Sequence, residues 1–152
     1  MINTMQTKYV QILRKIKQKG DGESKIAKEL AMQGVQKLLE QFAEDPGILE
    51  ASRKLYNTAI KTYKVPNALI AEIAKEGASL LFEQFGKSAC PELFHIFSNA
   101  IIQYLDLNEE SLAQSLTDEA IAFFTTCESP EQAANIAEVL KDPHSKSNIK
   151  LF

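Results

Sequence analysis

The stretch Glu92-Leu93-Phe94-His95 carries the most chemical promise in this chain, because a carboxylate and an imidazole three residues apart share one face of a helix. Helical di-metal proteins ligate their ions with that spacing. Such a centre needs a second Glu-x-x-His and two further carboxylates, yet the other histidine, His144, stands in Asp-Pro-His-Ser without a partner glutamate. Haem ligation through His95 would need long helices around the ring, and Pro66-Asn67 interrupts the relevant stretch. Cys90 and Cys127 would need a base and an orienting group to act as nucleophiles, and no spacing signals a Cys-His pair. Both cysteines fall near the ends of predicted helices, where the helix dipole disfavours a thiolate, although the helix opened by Pro91 opposes that effect at Cys90. The segment Lys19-Gly-Asp-Gly-Glu-Ser24 has neither the preceding strand nor the spacing of a phosphate-binding loop. The expectation is a protein without catalytic residues, metal or cofactor.

The elements that carry these residues read as helices throughout. Apolar positions recur at helical spacing, while β-branched alternation between turn residues is missing. Ser24 is placed to cap a helix reaching Phe42, Asp45-Pro46 to start one running to Lys64, and Pro66-Asn67 to reset the backbone for a third. Cys90-Pro91-Glu92 opens another, and Asn108 with Glu109 and Glu110 opens the next. In Ser129-Pro130-Glu131-Gln132, Ser129 and Gln132 have the spacing of a capping box. With a first helix ending near residue 19, the fold class is all-α with about seven helices. Only two cysteines are present, neither in a CxxC pair, which suggests reduced thiols.

Two of these helices spell the same pattern. Ser24–Phe42 and Asn67–Phe85 align without gaps and share Glu29/Glu72, Ala31/Ala74, Gly34/Gly77, Leu38/Leu81 and a closing Glu-Gln-Phe. The helices that follow align as well: Leu55/Ile96, Tyr56/Phe97, Ala59/Ala100, Ile60/Ile101 and Tyr63/Tyr104. A weaker third copy sets Leu112, Leu116, Ala120, Phe123 and Phe124 against Ile70, Ala74, Ala78, Leu81 and Phe82, then Ile136 and Leu140 against Phe97 and Ile101. The period of about 40 to 43 residues lies in the length range of HEAT and armadillo-like units, whose internal motif residues are lacking. Helical hairpins at 23–64, 67–106 and 109–141 would then share a core, with 1–19 as a capping helix, all in one domain, 1–141. Residues 142–152 are expected to form a flexible tail. The same pattern also suits a compact bundle carrying an old duplication, or compositional chance among Leu, Ala, Glu and Gln.

Charge is divided along the chain. Residues 1–64 hold twelve Lys and Arg against seven acids, a net of +5, whereas residues 65–152 hold five against thirteen, a net of −8. Between Asp106 and Glu138 there are eight acids and no base. Such a dipole steers partners over the 8–10 Å that salt permits, and it governs encounter more than stability. Met5, Tyr9, Ile12, Leu13 and Ile16 form an apolar stripe on the basic first helix, which suits covering the next helix, docking on a partner or, less well, lying on a membrane surface. The acidic balance disfavours nucleic acid. No apolar run approaches the roughly 18 residues of a membrane span, and the mixed charges of the first residues do not suit a signal peptide, so a cytoplasmic location is expected.

Taken together, these features predict a non-catalytic adaptor or regulator that binds another protein or peptide. Its candidate surface is the polar side of the second helices: Arg53, Lys54, Asn57 and Lys61, then His95, Asn99 and Gln103. Asp118 and Glu119 offer a basic partner a second foothold. The alternative is a homo-oligomer in which oppositely charged ends pair.

Overall fold

The computed structural model describes residues 1–18 and 25–142. Among these residues the chain forms seven α-helices and no strand: α1 (Ile2–Gln18), α2 (Ile26–Phe42), α3 (Ile48–Thr62), α4 (Ala68–Phe85), α5 (Cys90–Asp106), α6 (Glu110–Thr126) and α7 (Pro130–Val139). A 3₁₀ turn, Gly86–Ala89, leads into α5. No helix among the described residues is long and apolar enough to cross a membrane.

The prolines and caps explain some helix starts and not others. Asn67 is extended and its Oδ1 accepts the Leu69 N–H at 2.8 Å, satisfying one of the open donors of α4. Pro91 sits in the first turn of α5, where no N–H is needed. At Asp45 the expectation shifts: its Oδ1 accepts the Gly47 N–H at 2.8 Å, closing a turn, and α3 begins only at Ile48. Asn108 adopts a left-handed φ of 62°, so α6 starts after it, at Glu110. Ser129 precedes α7, but its side chain makes no capping bond, and the capping box expected with Gln132 does not form. Ser24 and residues 143–152 lie outside the described residues.

The helices stack in two staggered layers. In the first, α1, α3, α5 and α7 lie side by side; in the second, α2 rests on α1 and α3, α4 on α3 and α5, and α6 on α5 and α7. Each hairpin therefore completes its core on its neighbours, as a repeat of two-helix units requires. The helices α3 and α5 end up covered on several sides, with Leu55, Tyr56, Ala59, Ile60, Ile96, Phe97, Ala100 and Ile101 all buried. Of the expected apolar stripe of α1, Leu13 is buried and Met5, Tyr9 and Ile16 pack partly buried on the core, joined by Ile2 and Val10, while Ile12 is 37% exposed.

Burial also corrects the register of the third copy. Ala27, Ala31, Gly34, Val35 and Leu38 of α2 are buried, and so are the residues 43 positions later in α4, namely Ile70, Ala74, Gly77, Ala78 and Leu81. The buried residues of α6 fall 43 further on: Ala113, Leu116, Thr117, Ala120 and Phe124 answer to Ile70, Ile73, Ala74, Gly77 and Leu81. The sequence alignment had set α6 one residue off, because the pair Phe123-Phe124 offers two choices for the place of Leu81. Phe124 takes it, and Phe123 is half-buried.

One polar device occurs in both of the first two repeats. The Tyr63 hydroxyl accepts the Lys28 N–H in the first turn of α2 at 3.2 Å, and the Tyr104 hydroxyl accepts the Ala71 N–H in the first turn of α4 at 3.2 Å. Tyr104 also donates to the Asn67 carbonyl at 2.6 Å. Each tyrosine at the end of one first-layer helix thus pairs an open donor at the start of a second-layer helix. That explains why Tyr63 and Tyr104 recur, where phenylalanine would fill the space but leave the donor open.

Candidate functional site

The polar side of α3 and α5 is mostly interior. Arg53, Asn57, Asn99 and Gln103, expected to be open to a partner, are buried, and only Lys54, Lys61 and His95 are partly exposed. The cause is the side-by-side layer: a residue a quarter-turn off the apolar stripe of α3 faces α5 rather than water. Arg53 Nε lies 2.5 Å from Glu92 Oε2, and Gln103 Nε2 donates to the Tyr63 carbonyl at 2.7 Å across the same joint. Asn57 is fully buried, and neither end of its amide has a hydrogen-bond partner among the described residues. These residues join α3 to α5 and offer a partner little surface.

That joint also redefines the Glu-x-x-His pair. Glu92 directs its carboxylate to the Arg53 guanidinium, and the His95 ring stands edge-on to Phe94 at 5.1 Å between centroids. Among the described residues there is no group of three or more His, Cys, Asp or Glu side chains that could hold a metal ion. Cys90 and Cys127 are free thiols, both buried. Burial, reinforced by the neighbouring Cys90, pushes the Cys127 thiol above its ordinary value of 9.0, so it is protonated at neutral pH and is a poor nucleophile.

A concave surface lies elsewhere, in the second layer. Both α4 and α6 pack on α5 but hardly on each other, which leaves a furrow of about 710 Å³ between them. Phe97 of α5 forms its floor, with Phe82 and Phe123 on the two walls. The Phe123 ring stands 5.4 Å from Phe97 and 6.1 Å from Phe82, and Phe124 closes the cluster from below at 5.7 Å from Phe97. Ser79, Ala122 and Thr126 are exposed along the rim, and Cys127 lies at one end. At the other end Lys75 bridges to Glu119 at 2.7 Å.

The electrostatics of the furrow are one-sided. Helix α4 carries Glu72, Glu76 and Glu83 against Lys75, and α6 carries Glu110, Asp118 and Glu119 with no base. A lysine from the preceding repeat, Lys28, crosses to Glu72 and Glu76 at 2.7 Å each, but it does so on the side of α4 that faces α2. The furrow itself combines an aromatic floor with Glu83, Glu119 and Lys75, a net of one negative charge, between two helices in which acids outnumber bases. Sequence reasoning placed Phe97 and Phe123 in the core and singled out Asp118 and Glu119 as a foothold for a basic partner, without joining the two. The signal that could have joined them is the half-buried Phe123 beside a run of acids. No family model, curated protein or solved structure matches this chain.

Proposed function

We propose that the protein is a non-catalytic interaction module, a small adaptor or regulator, and that it docks its partner in the furrow between α4 and α6. The observation that carries this reading is the furrow itself: about 710 Å³ floored by Phe97 and walled by Phe82 and Phe123, with polar residues at its rim. An apolar depression of this kind gains free energy when a partner's side chains displace water from it. Two hydroxyls, one lysine, two glutamates and the Cys127 thiol line it; burial keeps that thiol protonated, and Lys75 and Glu119 are engaged with each other. The reading includes a cytoplasmic location, which the free thiols of Cys90 and Cys127 support.

The test is affinity capture from the native cell with three forms of the protein. Ala122→Arg, on the exposed rim, fills the furrow without touching the core; Lys54→Glu changes the opposite layer. A partner held in the furrow is retained by the wild type and by Lys54→Glu and lost from Ala122→Arg, with helicity unchanged in all three. Retention by Ala122→Arg together with loss from Lys54→Glu would move the docking surface to α3 and overturn the assignment.

A second reading has its own support. The basic α1 and the acidic α6 and α7 stand at opposite ends of the stack, so one copy can offer its positive end to the negative end of another. Light scattering across a concentration series decides it: oligomers that dissolve as salt is raised favour pairing of copies, and a monomer at low ionic strength removes it.

A further inference from the structure

We propose that the occupant of the α4–α6 furrow is a basic amphipathic helix of another protein, an assignment that rests on the docking site argued above. Three observations lead to it. The first concerns hydrogen bonding. Both walls and the floor are α-helices, whose backbone groups are already paired within each helix, so the furrow offers no sheet edge to an incoming chain. An extended peptide pressed onto Phe82, Phe97 and Phe123 would leave its own N–H and C=O groups unpaired against apolar rings. A helix brings its backbone already satisfied, and helix-in-groove docking is the mode that fits.

The second observation is length. The lining residues run from Lys75 to Glu83 on α4 and from Glu119 to Cys127 on α6. Each wall is therefore about 12 Å long at 1.5 Å per residue, or roughly two turns. A docked helix of that span presents apolar anchors at i, i+3 or i+4, and i+7, enough to cover the three rings. The third is charge. The lining holds Glu83 and Glu119 against Lys75, whose ammonium is already paired with Glu119, which leaves Glu83 as its uncompensated charge, and α6 adds Glu110 and Asp118 along its length with no base. An occupant flanked by lysine or arginine meets complementary potential, and one flanked by acids meets repulsion. The chain's own basic amphipathic helix is not available for the role within one molecule, because α1 buries Leu13 and Val10 against α2 and α3.

The probe is a model peptide of leucine and lysine, with leucines on one helical face. It is compared with a peptide in which every lysine is replaced by glutamate and with a scrambled peptide of the same composition and no apolar face. Binding is followed by titration calorimetry with the full-length protein and with Ala122→Arg. The leucine–lysine peptide is expected to bind at least about tenfold more tightly than either control, to weaken as salt rises, and to lose about tenfold in affinity with Ala122→Arg. Equal binding of the glutamate peptide, still sensitive to Ala122→Arg, would overturn the basic occupant while leaving the docking site standing. Binding insensitive to Ala122→Arg would overturn both. Two other results would overturn the assignment in favour of another occupant: dimerisation of the protein abolished by Ala122→Arg, with no peptide bound, points to a second copy, and a fluorescent fatty acid held in the furrow while every peptide fails points to a lipid.

Discussion

At Gly77, α4 comes so near α3 that a Cβ added there would lie 2.9 Å from Tyr56 Cε2 and 3.0 Å from two further ring atoms. The ring is fully buried and cannot swing away, so Gly77→Ala forces the helices apart, at an expected cost of about 1–3 kcal/mol in urea unfolding. Gly86→Ala is expected to destabilise for a different reason. Nothing lies within 4 Å of its added Cβ, but its φ of 68° with ψ of −149° is a conformation that side chains disfavour, costing about 1–3 kcal/mol. Arg53 provides a third case. Its guanidinium is almost wholly enclosed, and Arg53→Met leaves the Glu92 carboxylate, about one-fifth exposed, without its partner. Removing one member of such a pair costs about 3 kcal/mol, whereas Arg53→Met with Glu92→Gln is expected to recover most of it, since the desolvation cost leaves with the charges. The identity Gly34/Gly77 and the aligned pair Tyr56/Phe97 are legible as a repeat in the sequence. The inward turn of Arg53 was not, because a lone arginine in a helix reads as surface until the neighbouring helix is known.

Between elements, the bridge from Lys28 on α2 to Glu72 and Glu76 on α4 spans the second layer where the two helices scarcely touch. The hydrogen bond from Lys28 lowers the Glu72 carboxyl below its ordinary 4.5. Burial pulls the Lys28 ammonium down, but the bonds to Glu72 and Glu76 outweigh it and leave the lysine raised above 10.5. A lowered acid stabilises the fold above its unfolded value and loses that contribution as pH falls through the folded one; a raised lysine stabilises below its unfolded value and loses it as pH rises. The bridge therefore contributes steadily between about pH 4.5 and 10.5 and fades outside that window. Both glutamates are substantially exposed, so Lys28→Met is expected to cost only about 0.5–1 kcal/mol at pH 7, a difference from wild type that shrinks in urea titrations as pH is taken progressively below 4.5. Tyr104 sets a second alkaline limit. Burial raises the Tyr104 phenol above its ordinary 10.0, partly offset by the Ala71 N–H, so its stabilisation is lost as pH climbs past that value. Helix identity and hairpin order could be read from period and prolines. The helix starts at Ile48 and Glu110 could not, because Asp45 and Asn108 close turns of their own instead of capping the helices.

For the molecule as a whole, the all-α class and a repeat close to 43 residues followed from the sequence, since apolar spacing sets which face of each helix must be covered. The furrow did not follow, because it depends on how far apart two helices of the same layer stand, and no residue pattern within either helix states that distance. A polar residue outside the stripe is expected to meet water, but the layer places Arg53, Asn57, Asn99 and Gln103 in a joint between α3 and α5. The furrow over Phe97 is the face proposed to meet another protein. Site-specific photocrosslinking tests this directly, with benzoylphenylalanine placed at position 122 on the rim or at Glu50, which is exposed on α3, in the native cell. The account predicts a discrete adduct to another protein from position 122 and none from position 50. An adduct from position 50 with none from position 122 would contradict it.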